Sequence, residues 1–177
     1  MNIGRNDIDW RNLSHDEIDR IIAERIEADD RRIEASGGKK PKRVGYILER
    51  IAEINNLREA DREAQDGKVK KNRFIRRHNL HPEEDLRALQ LMILTLDFPA
   101  PDYSVMKVRS DAGKVRDIVK QKYFPWRILH HAIMRVIGED IYKSLIYDTS
   151  ACIKGKGLHF GVRRMKSFLR RYPEYKW

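Results

Sequence analysis

Lys154-Gly155-Lys156-Gly157 is the segment whose residue types and spacing could do the most chemistry. Glycine permits a sharp turn and the close approach of a ligand to the backbone. A lysine carried on such a turn is a ready contact for a phosphate or a nucleic acid. The segment is not a nucleotide-binding P-loop: Ser150 stands where the motif needs its first glycine, and Gly157 stands where Ser or Thr should follow the lysine. A second cationic pair, Lys114 and Arg116, is separated by two positions in a stretch of strand-like alternation, so both side chains are expected on one face of the same strand. Arg163, Lys166 and Arg170 recur at spacings of three and four, which put them on one helix face. That face tracks a phosphate backbone or is simply solvated. His130 and His131 are adjacent, so on a helix they diverge by about 100° and do not easily share one metal ion. Cys152 has no base placed by sequence to activate it and reads as a small buried hydrophobe.

These residues sit in a chain whose charge is unevenly placed. Residues 1–99 hold 20 Lys+Arg and 20 Asp+Glu, so the whole net charge of +10 arises from the 17 basic and 7 acidic residues of 100–177. Such asymmetry points to a polyanionic partner for the C-terminal part. A single cysteine excludes an intramolecular disulfide and fits a reducing compartment. The N-terminus lacks the apolar run of a signal peptide. Leu91-Met92-Ile93-Leu94 is the densest apolar run and is too short to span a membrane. A cytoplasmic protein with no membrane partner is expected.

The elements that must position the cations follow from periodicity. Ser14 and Glu17 form a capping box with Leu13 and Ile18 as a staple, opening a charged helix that ends near Ser36-Gly37-Gly38. Lys39-Lys40-Pro41-Lys42-Arg43 reads as a linker. Val44, Ile47, Leu48, Ile51, Ile54 and Leu57 recur at helical spacing, and a second helical piece carries Leu57, Ala60 and Ala64 to about Asp66-Gly67-Lys68. Lys70, Lys71, Arg73, Arg76 and Arg77 then load the chain with positive charge around Phe74 and Ile75. Pro82-Glu83-Glu84-Asp85 opens another helix, whose buried face is Leu86, Leu89, Met92, Ile93 and Leu96.

Past Pro99 and Pro101 the period changes, and two strands turning at Asp111-Ala112-Gly113 are expected. A long helix runs from Pro125 to about Leu145, with Trp126, Leu129, Ile133, Val136, Ile137 and Ile141 as its core face. After the glycine loop, Leu158, Val162, Met165, Phe168 and Leu169 define a last amphipathic helix crowded with basic residues. The fold class expected is mainly α with a small antiparallel β-hairpin, an α+β chain. It divides into a charged helix and basic linker (1–43), a helical lead-in (44–98), and the hairpin, long helix, loop and basic helix (99–177).

Several of these stretches, in order, resemble one family. The loop from Tyr147 to Gly157 is similar to the first fingers motif of reverse transcriptases of the group II intron, retron and diversity-generating type, where a Ser-Tyr-Ala-Cys-Arg-Lys-Gly-Lys-Gly-like loop leads into a helix. Asn55-Asn56-Leu57, Ala60, Ala64 and Gly67-Lys68 resemble the helical lead-in of those polymerases. Pro101-Asp102-Tyr103 resembles their approach to the fingers hairpin. Gly113-Lys114-Val115-Arg116 resembles their Lys-x-Arg strand, and Arg127-Ile128-Leu129-His130-His131-Ala132-Ile133 their Arg-Val-Val-His-His-Ala-Leu helix. The matches cover roughly residues 44–177; residues 1–43 match no pattern of the family. Ile153 departs from it, standing where arginine is frequent.

The resemblance implies an N-terminal and fingers portion of an RNA-directed DNA polymerase, helical with a partial right-hand fingers fold. Lys114 and Arg116 would then grip the triphosphate of the incoming nucleotide. Lys154, Gly155, Lys156 and Gly157, with Arg163, Lys166 and Arg170, would hold the template. RNA or an RNA–DNA hybrid is the implied partner. Magnesium and nucleotide triphosphates belong to the full-length parent, none bound by this chain alone. The catalytic aspartates of the palm, and the thumb, would lie past Trp177, so no catalytic or metal-binding residue is assigned. Two-metal transfer needs carboxylates clamping ions about 4 Å apart, and Asp148 is one acid beside a basic loop. Two other readings remain open: a stand-alone RNA-binding module, and a helical regulatory protein with a basic face and no polymerase chemistry.

Overall fold

The computed structural model describes residues 8–36, 44–67, 72–109, 113–151 and 153–174. Expectations for the linker at 37–43, for Lys68, Lys70 and Lys71, for the Asp111-Ala112 turn, for Cys152 and for Trp177 fall outside them. Two compact units form, Met1–Val136 and Ile137–Trp177. The chain is mainly helical with one two-stranded antiparallel sheet. No helix among the described residues is long and apolar enough to cross a membrane.

In the first unit, α1 (His15–Ala35) starts at the capping box: Ser14 Oγ accepts from the Glu17 N–H, and the Ser14 N–H donates to Glu17 Oε2 at 2.8 Å. It buries Ile18 and Ile22 and ends at Ser36. The next apolar run does not form one continuous helix. α2 (Ile47–Ala52) stops at Glu53, whose ψ of 127° leaves the helical region, and α3 (Ile54–Gln65) begins at once on a new axis. The break turns Ile51 and Ile54 into the same core, while Val44, Ile47 and Leu48 stay exposed.

The basic segment that carried no assigned element is a short helix, α4 (Arg73–His78), with Asn72 as its N-cap. α5 (Pro82–Thr95) starts with proline in its first turn, as expected. Leu86, Leu89 and Ile93 are buried, but Leu96 is not: it caps α5 in the left-handed region (φ 55°) and is 57% exposed. The helix ends one residue before Leu96 could join its stripe. Gln90, buried on α5, is satisfied by donating to the Ala52 carbonyl and Asp19 (3.0 Å each) and by accepting from Arg87.

β1 (Tyr103–Arg109) and β2 (Val115–Gln121) pair in the register Val108 opposite Arg116 and Val105 opposite Val119. Nearly every residue of the hairpin is exposed. Such a ribbon has little core of its own, and its end is fixed by the chain that follows. Tyr123–Arg127 is a kinked helical turn with a cis Phe124–Pro125 bond, and Tyr123 is buried. Regular helix, α6 (Ile128–Ser144), therefore begins at Ile128 rather than at Pro125. Ile128, Leu129 and Ala132 enter the core, Trp126 is half-buried against Phe98, and Ile141 is exposed. Asn56 ties α3 to α6 by donating to the Ala132 carbonyl at 3.3 Å, and Arg135 donates back to Asn56.

Two polar clusters brace this unit. Asp29 on α1 is buried and accepts from the Gly45 N–H (3.0 Å), Arg32 (2.5 Å) and Arg50 (3.2 Å). These bonds outweigh burial and hold its carboxyl below the ordinary value. His78 on α4, also buried, lies between two acids: Asp85 Oδ2 is 2.7 Å from Nδ1, and Asp61 Oδ1 is 3.2 Å from Nε2 but off its N–H axis. Tyr123 donates to Asp61, as does Gln65. One hub thus joins α3, α4, α5 and the root of the hairpin.

Candidate nucleic-acid interface

In the second unit the last turns of α6 lead through a loop into α7 (Leu158–Arg171). The loop turns where glycine permits it. The Lys156 N–H donates to the Ile153 carbonyl at 3.0 Å, and these two residues form an isolated bridge around Lys154-Gly155. Gly155 has φ 80°, a conformation that side-chain-bearing residues avoid. Gly157 is extended backbone at the N-cap of α7.

The loop is then fastened to α7. Asp148 accepts from both Nε and Nη2 of Arg164, a bidentate pair. That contact, with a smaller effect of Lys156, holds the Asp148 carboxyl below the usual carboxylate range and raises Arg164. Arg164 also lies over the rings of Tyr147 (5.1 Å) and Phe168 (4.8 Å), and Tyr147 meets Phe160 edge-on.

These fastenings divide the two lysines expected to act together. Lys156 turns inward: its Nζ donates to the Tyr147 carbonyl at 2.7 Å and lies over the Tyr147 and Phe160 rings. Lys154 is exposed and its side chain makes no hydrogen bond, ion pair or ring contact with a described residue. α7 contains five Lys or Arg residues and no acid. Arg164 is used by Asp148, while Arg163, Lys166 and Arg170 line one open basic recess with Arg171. None of these four side chains makes a hydrogen bond or ion pair with a described residue. At about 100° per residue, Arg163, Lys166 and Arg170 fall within one 60° sector, beside a stripe of Leu158, Val162, Met165 and Leu169. No residue of α7 is buried.

In the first unit, Arg116 is an exposed residue of β2, opposite Val108. Lys114 is also exposed and lies one residue before β2, which begins at Val115. Gly113, at φ 73°, turns the chain just before it, and pairing starts with Arg109 opposite Val115. His130 is exposed, and His131 Nδ1 stands 3.7 Å from Glu63 Oε2, so the pair diverges. No group of three or more His, Cys, Asp or Glu side chains among the described residues converges on a metal-sized point. Asp148 is committed to Arg164.

The sequence reading missed the Asp148–Arg164 clamp and the His78 hub. For the clamp a signal existed: a lone acid in an acid-poor, basic stretch has cations to choose from. The hub had none, because its members are drawn from four separate elements. No protein-family model matches this chain, and no curated protein matches it.

Proposed function

We propose that this chain is a nucleic-acid-binding module whose C-terminal part serves as the template-holding fingers of an RNA-directed DNA polymerase. The observation that carries the reading is α7. It is free of acids, its Arg163, Lys166 and Arg170 stand in one sector with no ion pair to a described residue, and the exposed Lys154 lies in the glycine turn that precedes it. Cations left without partners neutralise phosphates and release condensed counterions. Lys114 and Arg116, both exposed at the hairpin, are the candidates for the nucleotide triphosphate.

The test is binding of labelled RNA and of an RNA–DNA hybrid by fluorescence anisotropy across 50–200 mM salt. With about five phosphates neutralised by the C-terminal part, that part contributes a log–log salt slope near −3.5 for single strands and −4.5 for duplex. Replacing Arg163, Lys166 and Arg170 by glutamine removes about two units of the single-strand slope. Affinity indifferent to salt, or no binding at 50 mM, overturns the reading in favour of a solvated helical surface.

A further inference from the structure

α4 is only six residues long, yet it is sharply two-sided. At about 100° per residue, Ile75 and His78 fall on one side and Arg73, Arg76 and Arg77 on the other. The structure follows this division: Ile75 and His78 are buried, and the three arginines are exposed. None of the three makes an ion pair or a side-chain hydrogen bond with a described residue. The guanidinium of Arg73 lies 4.9 Å over the ring of Phe74, which is itself exposed. Several other arginines of this unit are paired: Arg25 with Glu49, Arg50 with Asp29 and Asp30, Arg58 with Glu83, Arg87 with Asp19 and Arg135 with Glu63. The three α4 arginines differ from these in having no acidic partner among the described residues.

The mounting of this face is rigid. His78 is held between Asp85 and Asp61, and Asp61 is fixed in turn by Tyr123 and Gln65. Asp61 and Asp85 are engaged by His78, and neither forms an ion pair with the outward arginines. An exposed aromatic ring among unpaired guanidinium groups suits single-stranded nucleic acid. Phosphates meet the cations, and an unstacked base finds a π-face.

We propose that Arg73, Arg76, Arg77 and Phe74 form a second single-strand RNA contact, on the first unit, separate from the α7 column. It rests on the nucleic-acid-binding reading above and adds a distinct surface to it. The three arginines take phosphates and Phe74 takes one base.

The experiment uses the full chain and a fluorescein-labelled 12-nucleotide oligouridine RNA. The combined Arg73→Gln, Arg76→Gln, Arg77→Gln variant is expected to lower the log–log salt slope by about two units. Phe74→Ala is expected to weaken binding by about fivefold or more without changing the slope, because stacking releases no counterions. Thermal melts confirm that both variants fold. As a measurement on the unaltered chain, RNA should protect these three arginines from phenylglyoxal, read by mass spectrometry. An α4 variant with unchanged affinity and slope, or arginines modified equally with and without RNA, overturns the inference. If the α7 glutamine variant alone loses binding, the proposed function stands and this second contact does not. Failure of the unaltered chain to bind overturns both.

Discussion

Asp148 and Arg164 lie 16 residues apart, and the carboxylate takes both Nε–H and Nη2–H of the guanidinium. This pair fastens the glycine turn to the helix it precedes. It also fixes which basic residues remain available to a ligand, by taking Arg164 out of the set.

Asp148→Ala should therefore loosen the loop without unfolding the chain. In hydrogen exchange the amides of Lys156 and Gly161, bonded at 3.0 and 3.1 Å to the carbonyls of Ile153 and Gly157, should exchange several-fold faster. Amides of α3 and α5 should keep their rates. Unchanged exchange at Lys156 would mean that the turn stands without the clamp.

The His78 hub makes stability depend on pH in a definite direction. Burial disfavours charge on His78, but hydrogen bonds and attraction from Asp61 and Asp85 prevail and raise its pKa above 6.5. A raised folded pKa gives stability that is complete below the unfolded value and lost as pH climbs through the folded one. Asp61 has the opposite sign: burial works against its charge, yet His78, Tyr123 and Gln65 hold it below 3.8, so its contribution is lost as pH falls. The thermal midpoint should be highest between 3.8 and 6.5 and should decline on the alkaline side of this window. In His78→Gln the alkaline decline should flatten, whatever the overall loss of stability; an unaltered slope contradicts the assignment.

Gly45→Ala should destabilise the first unit. An added methyl would stand 2.8 Å from Asp29 Oδ1, and the carboxylate cannot retreat without loosening its bonds to Arg32, Arg50 and the Gly45 N–H. Overpacking of this kind costs about 1–3 kcal/mol. Urea denaturation should give a lower midpoint at an unchanged slope.

Leu96→Gly should stabilise. Leu96 holds φ 55° at the end of α5 and is largely exposed, so glycine removes strain and little burial. Left-handed strain of roughly 1–2 kcal/mol is set against roughly 0.5–1 kcal/mol for the extra freedom of glycine in the unfolded chain. A net gain of up to about 1 kcal/mol is expected by urea denaturation, and a loss would show that Leu96 packs more tightly than its exposure implies.

The elements written locally in this chain were legible from its residues. Ser14 with Glu17 set the start of α1, Pro82 set the start of α5, and Gly113 and Gly155 marked two turns. Alternation around Val105 and Val119 gave the hairpin, and the stripe from Leu158 to Leu169 gave an amphipathic α7. Each depends on groups within a few residues of one another, where propensity, capping and periodicity act. The basic bias of residues 100–177 was likewise fixed by composition.

Other properties were decided only when distant segments met. Val44 through Leu57 kept a helical period across Glu53, but the chain bends there because Ile51 and Ile54 are wanted in one core. Lys154 and Lys156 look alike in sequence; the Tyr147 carbonyl and two aromatic rings draw one inward and leave the other in solvent. Tyr123 finds Asp61 across 62 residues of chain. Hydrophobic period records which side of an element avoids water. It does not record which partner covers that side, or which charge is spent on a neighbour before a ligand arrives, because those are energies of pairs that the linear order does not bring together.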